Sequence, residues 1–77
     1  MPVARNYIDS ITRETVAVHL TTGVSMRGVL VATHRDCVVI ASARLLQSDG
    51  AEVPLDGEQV IPRAQLLWLQ RLTEVAP

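Results

Sequence analysis

The segment TVAVHLTTGVSMRGVLVAT, residues 15–33, decides how the chain folds. In its first part Val16, Val18 and Leu20 alternate with the smaller or polar Ala17 and His19, and this period of two is typical of a half-buried β-strand. A Thr-Thr-Gly turn follows, in which Gly23 supplies a permissive backbone, and then the alternation resumes. The segment therefore predicts two antiparallel strands joined by a tight turn, at about 15–21 and 24–33.

Gly28 interrupts the second of these strands. A glycine inside a strand often marks a sharp bend or the close approach of another backbone, because it has no side chain to keep that backbone away. A strand that bends midway can contribute to both halves of a small barrel. We therefore expect the sheet to bend strongly at Gly28.

The rest of the chain predicts three more strands and one short helix, in which Tyr7, Ile8 and Ile11 share one face and Asn6 is a candidate N-cap. Polar turns and an Asp-Gly-rich loop at 47–57, which can extend a hairpin, separate the later apolar runs. The expected fold is mostly β: a short N-terminal α-helix, then a five-stranded, strongly bent antiparallel sheet that forms a small open barrel of SH3 type. It spans one domain, 1–77, with the helix at about 5–13 and the remaining strands at about 37–47, 58–61 and 65–72.

Composition indicates a small aliphatic core that another chain helps to cover. The chain has 77 residues, 48% of them hydrophobic, and its only aromatic residues are Tyr7 and Trp68. A domain of this size is marginally stable alone, and the single cysteine, Cys37, excludes an internal disulfide and a cysteine-rich zinc site. These properties favour an oligomer.

Several classes of function are disfavoured by the sequence. We find no nucleophile paired with a base, no phosphate-binding loop and no metal-ligand spacing, so we expect neither an enzyme nor a cofactor or metal site. No apolar run approaches the roughly 18–20 residues of a membrane span, and no signal peptide is evident, so we expect a cytoplasmic protein without membrane contact. The absence of Lys and Phe beside abundant Ala, Val and Arg favours a GC-rich bacterial or phage genome.

The charge pattern restricts any contact with nucleic acid to a small area. The formal net charge is −1, and all seven basic residues are arginines. A general nucleic-acid binder usually carries a basic surface, so RNA would have to contact a few local arginines. Half of the eight acidic residues, in contrast, cluster in one segment that contains no basic residue: Asp49, Glu52, Asp56 and Glu58.

Two motifs resemble those of the Sm/LSm (Sm-like) family. The family's first motif has alternating apolar residues, Leu-x-x-Gly and then Gly-x-Leu, and VAVHLTTGVSMRGVL at 16–30 fits it without a gap. The second motif, a short strand, an Arg-Gly turn and a last apolar strand, is similar to VIPRAQLLWL at 60–69. The resemblance implies a helix followed by a bent five-stranded barrel. It also implies a ring in which strand four of one subunit pairs with strand five of the next.

The last two strands support a ring independently of the resemblance. Leu66–Leu69 are four consecutive apolar residues, and such a run is buried on both faces or on one face and an interface. A tight turn can hold these two strands apart, which leaves each with a free backbone edge. We predict a homo-oligomeric ring of five to eight subunits, with these interface candidates: Val60, Ile61, Leu66, Leu67, Trp68 and Leu69.

The same resemblance implies an RNA site at the inner rim of the ring. The family's turn after strand two carries an Asp, a base-stacking residue and an Asn, and these positions fall here on His34, Asp36 and Val38. The family's Arg-Gly pair falls on Pro62 and Arg63, so each subunit would contribute one arginine to the central pore. The candidate residues for single-stranded RNA are His34, Arg35, Asp36, Pro62 and Arg63.

An alternative is a structural or adaptor ring that binds protein rather than RNA. Val38 cannot hydrogen-bond to a uracil edge as Asn would, and Asp36 is a poor stacking surface that repels phosphate. A third interpretation, a monomeric SH3-like module, calls for an aromatic groove that a chain with two aromatic residues is poorly equipped to form.

Overall fold

The computed structural model describes residues 7–72. Within this range the chain forms one helical turn, six β-strands and a short 3₁₀ turn. In chain order these are α1 Tyr7–Ser10, β1 Thr15–Leu20, β2 Ser25–Thr33, β3 Cys37–Leu46, β4 Glu52–Pro54, β5 Gln59–Pro62, the 3₁₀ turn Arg63–Gln65 and β6 Leu66–Arg71.

The strands form one antiparallel sheet that curves into an open barrel. The order across the sheet is β4-β3-β2-β1-β6, and β5 pairs with the first half of β3, beside the segment that pairs with β4. Among the described residues, β5 and β6 each pair with a single strand. The barrel is therefore not closed, and the gap lies between the two strands at the end of the chain.

The prediction of a helix over 5–13 is wrong, because the described part of that segment contains only the four-residue turn Tyr7–Ser10. After this turn the chain joins the sheet: Arg13 N donates to Leu30 O, and Leu30 N donates to Glu14 O at 3.0 Å. Arg13 takes a positive φ of 79° to do so. The backbone groups of Arg13 and Glu14 are thus hydrogen-bonded to β2 and are not available to extend the helix. The proposed N-cap, Asn6, lies outside the described residues.

The predicted loop at 47–57 contains a hairpin and the strand β4. Gln47 N donates to Ala51 O, and Gly50 N donates to Gln47 O, so the chain reverses there and Glu52–Pro54 pairs with the end of β3. The predicted fourth strand is β5, one residue further along the chain than expected. The sequence thus predicted one strand, β5, where two separate strands, β4 and β5, pair with the same edge of β3.

The close approach predicted at Gly28 is confirmed. A Cβ atom on Gly28 would lie 2.8 Å from Ala41 O and 3.1 Å from Ala43 Cα, which is closer than side-chain carbons normally come. The opposite strand is irregular here: Arg27 pairs with Arg44 and residue 29 with residue 41, which leaves one extra residue on β3. Ser42, within that irregularity, has a positive φ of 52°. β2 and β3 can therefore approach this closely only because residue 28 has no side chain.

The core is aliphatic, as the composition predicted. Its buried cluster includes Val16 and Val18 from β1, Leu30 from β2, and Ile40 from β3, all with no exposed area. No helix within residues 7–72 is long and apolar enough to cross a membrane.

Candidate RNA-contacting turn and open sheet edges

The structure brings the two predicted RNA-contacting turns together. Arg63 N donates to Asp36 O at 2.9 Å, and Arg63 Nε donates to His34 O at 2.8 Å. These two bonds fix both the backbone and the guanidinium of Arg63 against the turn at 34–36. We call this unit, residues 34–36 with Pro62 and Arg63, the arginine turn.

The sheet register explains why these distant segments meet. β3 begins at Cys37 and β5 ends at Pro62, and the antiparallel ladder places these two residues opposite each other. The turn before β3 and the turn after β5 must therefore lie at the same end of the sheet. His34 N donates to Cys37 O at 2.8 Å and closes the first of these turns.

Two charges of the arginine turn act on the thiol of Cys37. Partial burial of this half-buried residue raises its pKa above the ordinary value, and the charge and hydrogen bond of Asp36 raise the pKa further. The positive charge of Arg63 acts in the opposite direction and lowers it. The pKa of Cys37 therefore depends on the opposing charges of Asp36 and Arg63.

This balance predicts how Cys37 reacts with a thiol reagent. Because the thiolate is the reactive form, Asp36→Asn should lower the pKa of Cys37 and speed its modification at pH 8, whereas Arg63→Ala should raise the pKa and slow it. The measurement is the pH dependence of the reaction with an aromatic disulfide, with Arg44→Ala as a control far along β3. Equal rates for all variants would contradict the placement of Asp36 and Arg63 beside the thiol.

The arginine turn offers charges and hydrogen-bond donors but no aromatic stacking surface. His34, Arg35 and Asp36 are exposed and Arg63 is half-buried. Among residues 7–72, ion pairs to glutamates are formed by Arg27 and Arg71. Arg63 instead donates a hydrogen bond to the backbone carbonyl of His34. Val38, at the position of the family's Asn, has no exposed area and packs in the core. The turn therefore presents the guanidinium groups of two arginines beside an acidic residue, and the buried Val38 cannot contact a base.

The predicted interface residues divide into two groups. Val60, Leu67 and Trp68 are exposed by 63%, 59% and 55%, although they are large apolar residues. Ile61 is buried in the core of its own chain, and Leu66 and Leu69 are partly buried against that core. We call the first group, Val60 on β5 with Leu67 and Trp68 on β6, the exposed edge residues.

A β-bulge explains how four consecutive apolar residues are distributed over two faces. His19 pairs with Trp68, but Leu20 pairs with Leu66, so Leu67 is an extra residue on β6. Leu66 and Leu69 therefore both face the core, while Leu67 and Trp68 face away from it. A regular strand would have placed Leu67 and Leu69 on the same face.

Trp68 stacks on His19, a residue of the alternating strand β1. The rings of His19 and Trp68 lie 4.3 Å apart with their planes tilted by 32°. His19 Nδ1 is hydrogen-bonded to Ser25 Oγ at 2.9 Å, while His19 Nε2 is buried without a partner among the described residues. Their stacking follows from the pairing of β1 with β6, which periodicity alone does not specify.

Comparison with known proteins finds similarity in structure rather than in sequence. The sequence matches no protein-family model, and no curated protein matches it. A heptamer of SmAP1 from P. aerophilum superimposes with a TM-score of 0.78 at 18% identity, covering 87% of this chain and 89% of that one. A heptameric archaeal Sm protein gives 0.76 at 18% identity, covering 86% and 96%.

Two further structures are similar over most of this chain. A Sm-like archaeal protein from Pyrobaculum aerophilum gives a TM-score of 0.69 at 19% identity over 87% of this chain, which corresponds to 49% of that protein. A chain in the structure of the NatC complex bound to CoA gives 0.73 at 17% identity, covering 92% and 88%. Identities this low establish the fold alone, and the chain therefore has the Sm-like fold.

Proposed function

We propose that this chain assembles head-to-tail into a homo-oligomeric ring that binds single-stranded RNA at its inner rim. We further propose that it acts in the cytoplasm as a binding protein and not as an enzyme. The observation that carries the proposal is the arginine turn, in which Arg63 is held by two hydrogen bonds at the junction of two open-edged strands.

The ring is supported by the state of its two edges. β5 and β6 each lack a second neighbour among the described strands, and an exposed strand edge readily pairs with another chain. The exposed edge residues give both edges an apolar surface. Two different edges of one chain make a heterologous contact, which closes into a ring when the rotation between subunits divides the circle. Two of the similar structures are heptamers.

The RNA site is supported by the position and order of Arg63. In the ring, the turn between β5 and β6 faces the central opening, so every subunit adds one guanidinium to the rim. The hydrogen bond from Nε to His34 O restrains this side chain before any ligand arrives, which lowers the entropic cost of binding. Arg35 adds a second exposed positive charge in the same turn.

The test is a titration with labelled oligo-U and oligo-A at several salt concentrations. An RNA ring should bind with an affinity that falls as salt rises. A plot of the logarithm of the binding constant against the logarithm of the salt concentration should have a slope of about −0.7 for each phosphate neutralised. Arg63→Ala should weaken binding at least about tenfold, because each lost charge-assisted hydrogen bond contributes roughly 1.5–3 kcal/mol. It should also flatten the salt dependence.

Arg44→Ala is the matched control, because it removes the same charge from an exposed position on the far half of β3. It should leave the affinity within about twofold. Similar losses for Arg44→Ala and Arg63→Ala would indicate general charge attraction and would contradict a site at the arginine turn.

A protein-binding adaptor ring is the second candidate, and two observations favour it. Val38 is fully buried, and the exposed carboxylate of Asp36 would repel a phosphate beside Arg63. A ring that binds neither oligonucleotide at low salt would leave this alternative and remove RNA binding.

A further inference from the structure

We infer that the arginine turn selects guanosine: Asp36 and Arg63 together bind the edge of a guanine base, and Arg35 binds the phosphate beside it. This inference rests on the proposed function and names the base that the same site prefers. It follows from two oppositely charged side chains that lie in one unit without forming an ion pair, and from the order of hydrogen-bond donors and acceptors around each base.

Asp36 and Arg63 carry opposite charges and are held close together, yet no ion pair joins them. Arg63 N donates to Asp36 O at 2.9 Å, which fixes the two backbones side by side. The charges of both side chains reach the thiol of Cys37, so both lie near that residue. Ion pairs within residues 7–72 instead link other arginines to Glu14 and Glu52. A carboxylate and a guanidinium thus lie near each other, and each keeps hydrogen-bonding capacity for a ligand.

The guanidinium of Arg63 has donors left for a ligand. Its Nε donates to His34 O at 2.8 Å, and this bond engages only the Nε–H group of the side chain. The terminal nitrogens carry the remaining N–H groups in a fixed fork, which can donate to two neighbouring acceptors at once. The carboxylate of Asp36 is exposed and can accept several hydrogen bonds. The pair can therefore donate two bonds and accept two bonds side by side.

The carboxylate of Asp36 disfavours a phosphate between these two side chains. A phosphate beside Arg63 would face the negative charge of Asp36, and the repulsion would cancel part of the attraction. The edge of a base carries no net charge, so it can lie against both side chains at once. The phosphates of the RNA chain then lie at the outside of the turn, where Arg35 is exposed. The pair therefore fits a neutral group with adjacent donors and acceptors.

Guanine is the base whose edge matches this arrangement most fully. Its N1–H and N2–H groups are neighbouring donors that suit one carboxylate, and its O6 and N7 are neighbouring acceptors that suit one guanidinium. Cytosine and adenine each offer the carboxylate a single amino group. Uracil offers one N–H group between two carbonyl oxygens, which a carboxylate repels. Guanine therefore makes the most hydrogen bonds with the pair, and uracil fits it worst.

This preference differs from the uracil recognition that the family's Asn implies. The residue at that position, Val38, has no exposed area and cannot take part. An all-uridine RNA would offer the carboxylate of Asp36 no pair of donors, so Arg63 would contribute through its charge alone. A guanosine adds hydrogen bonds to both side chains, and a bidentate contact of this kind discriminates between bases by roughly tenfold or more.

The test compares short labelled oligo-U molecules that differ at one central position, by fluorescence anisotropy at constant salt. With guanosine at that position, the wild-type protein should bind at least about tenfold more tightly than with uridine. Inosine, which is guanosine without the 2-amino group, should lose most of this gain. Cytidine and adenosine should give affinities between those of guanosine and uridine.

Asp36→Asn separates recognition of the base from the effect of charge. An amide presents one acceptor oxygen and its own N–H donors, so it cannot accept from both N1–H and N2–H of guanine. The variant should bind the guanosine and uridine RNAs equally, and it should bind the all-uridine RNA at least as tightly as the wild type because a negative charge is removed. Asp49→Asn is the matched control, since it removes the same charge from the exposed tip of the hairpin between β3 and β4. It should keep the wild-type preference.

A wild-type protein that binds the guanosine and uridine RNAs equally would overturn the inference, and so would an Asp36→Asn protein that keeps the preference for guanosine. In either case, binding to oligo-U that weakens as salt rises would still support the proposed RNA-binding ring. Binding to none of these RNAs at low salt would contradict the proposed function and the inference together, so the two failures are distinguishable.

Discussion

Replacing Val60 with aspartate is expected to convert the assembly into monomers of 8.4 kDa at micromolar concentration. Val60 is 63% exposed in the single chain, so it contributes little to the stability of that chain. In the ring it would be buried against the neighbour, where an unpaired carboxylate costs about 4 kcal/mol, or about a thousandfold in each contact. Native mass spectrometry measures the outcome directly.

Val24→Asp is the matched control for this change. Val24 is 39% exposed and lies in the turn between β1 and β2, so it belongs to neither β5 nor β6. The Val24→Asp protein should keep the native mass of the wild type, and both variants should keep the circular dichroism spectrum of a folded sheet. A Val60→Asp protein that remains assembled would contradict the role of the β5 edge.

Adding one methyl group at Gly28 is expected to destabilise the fold toward the upper end of about 1–3 kcal/mol. The new Cβ would meet Ala41 O at 2.8 Å and Ala43 Cα at 3.1 Å, and both are backbone atoms that move only if β3 shifts. The loss corresponds to a fall of about 10–20 °C in Tm for a domain of this size. Thermal unfolding should be measured in the Val60→Asp background, because assembly otherwise makes Tm depend on concentration.

Gly57→Ala separates this steric clash from the cost of backbone conformation. Gly57 has nothing within 4 Å of its added Cβ, but its φ is +72°, which disfavours alanine by about 1 kcal/mol. Gly28→Ala should therefore be clearly the more destabilising of the two. If Gly57→Ala proved more harmful, β2 and β3 would not approach as closely at Gly28 as the structure shows.

The strands were predictable where a local pattern specified them. Period-two alternation placed β1 and β2 within two residues of their observed bounds, and Gly28 by itself indicated where another backbone approaches closely. The helix was not predictable from Ile8 and Ile11 alone. Its last turns are replaced by hydrogen bonds to Leu30, a residue that is distant in sequence.

The candidate site shows the same difference between local and distant information. Each half of the arginine turn was evident as a polar turn, but its assembly depends on the ladder that pairs Cys37 with Pro62. The bulge at Leu67 decides which of four apolar residues stay exposed, and it arises from the pairing with Leu20 rather than from the run itself. Val60 and Ile61 are adjacent β-branched apolar residues that the sequence does not distinguish. Ile61 lies in the core because the sheet pairs it with the buried Val38, whereas Val60 is exposed.

The native mass of the wild-type protein at a few micromolar, measured by light scattering after gel filtration, tests the central proposal most directly. We predict a single species whose mass is five to eight times 8.4 kDa. A single species of 8.4 kDa would mean that the edges of β5 and β6 stay unpaired in solution, and it would contradict the ring and the rim of arginines together.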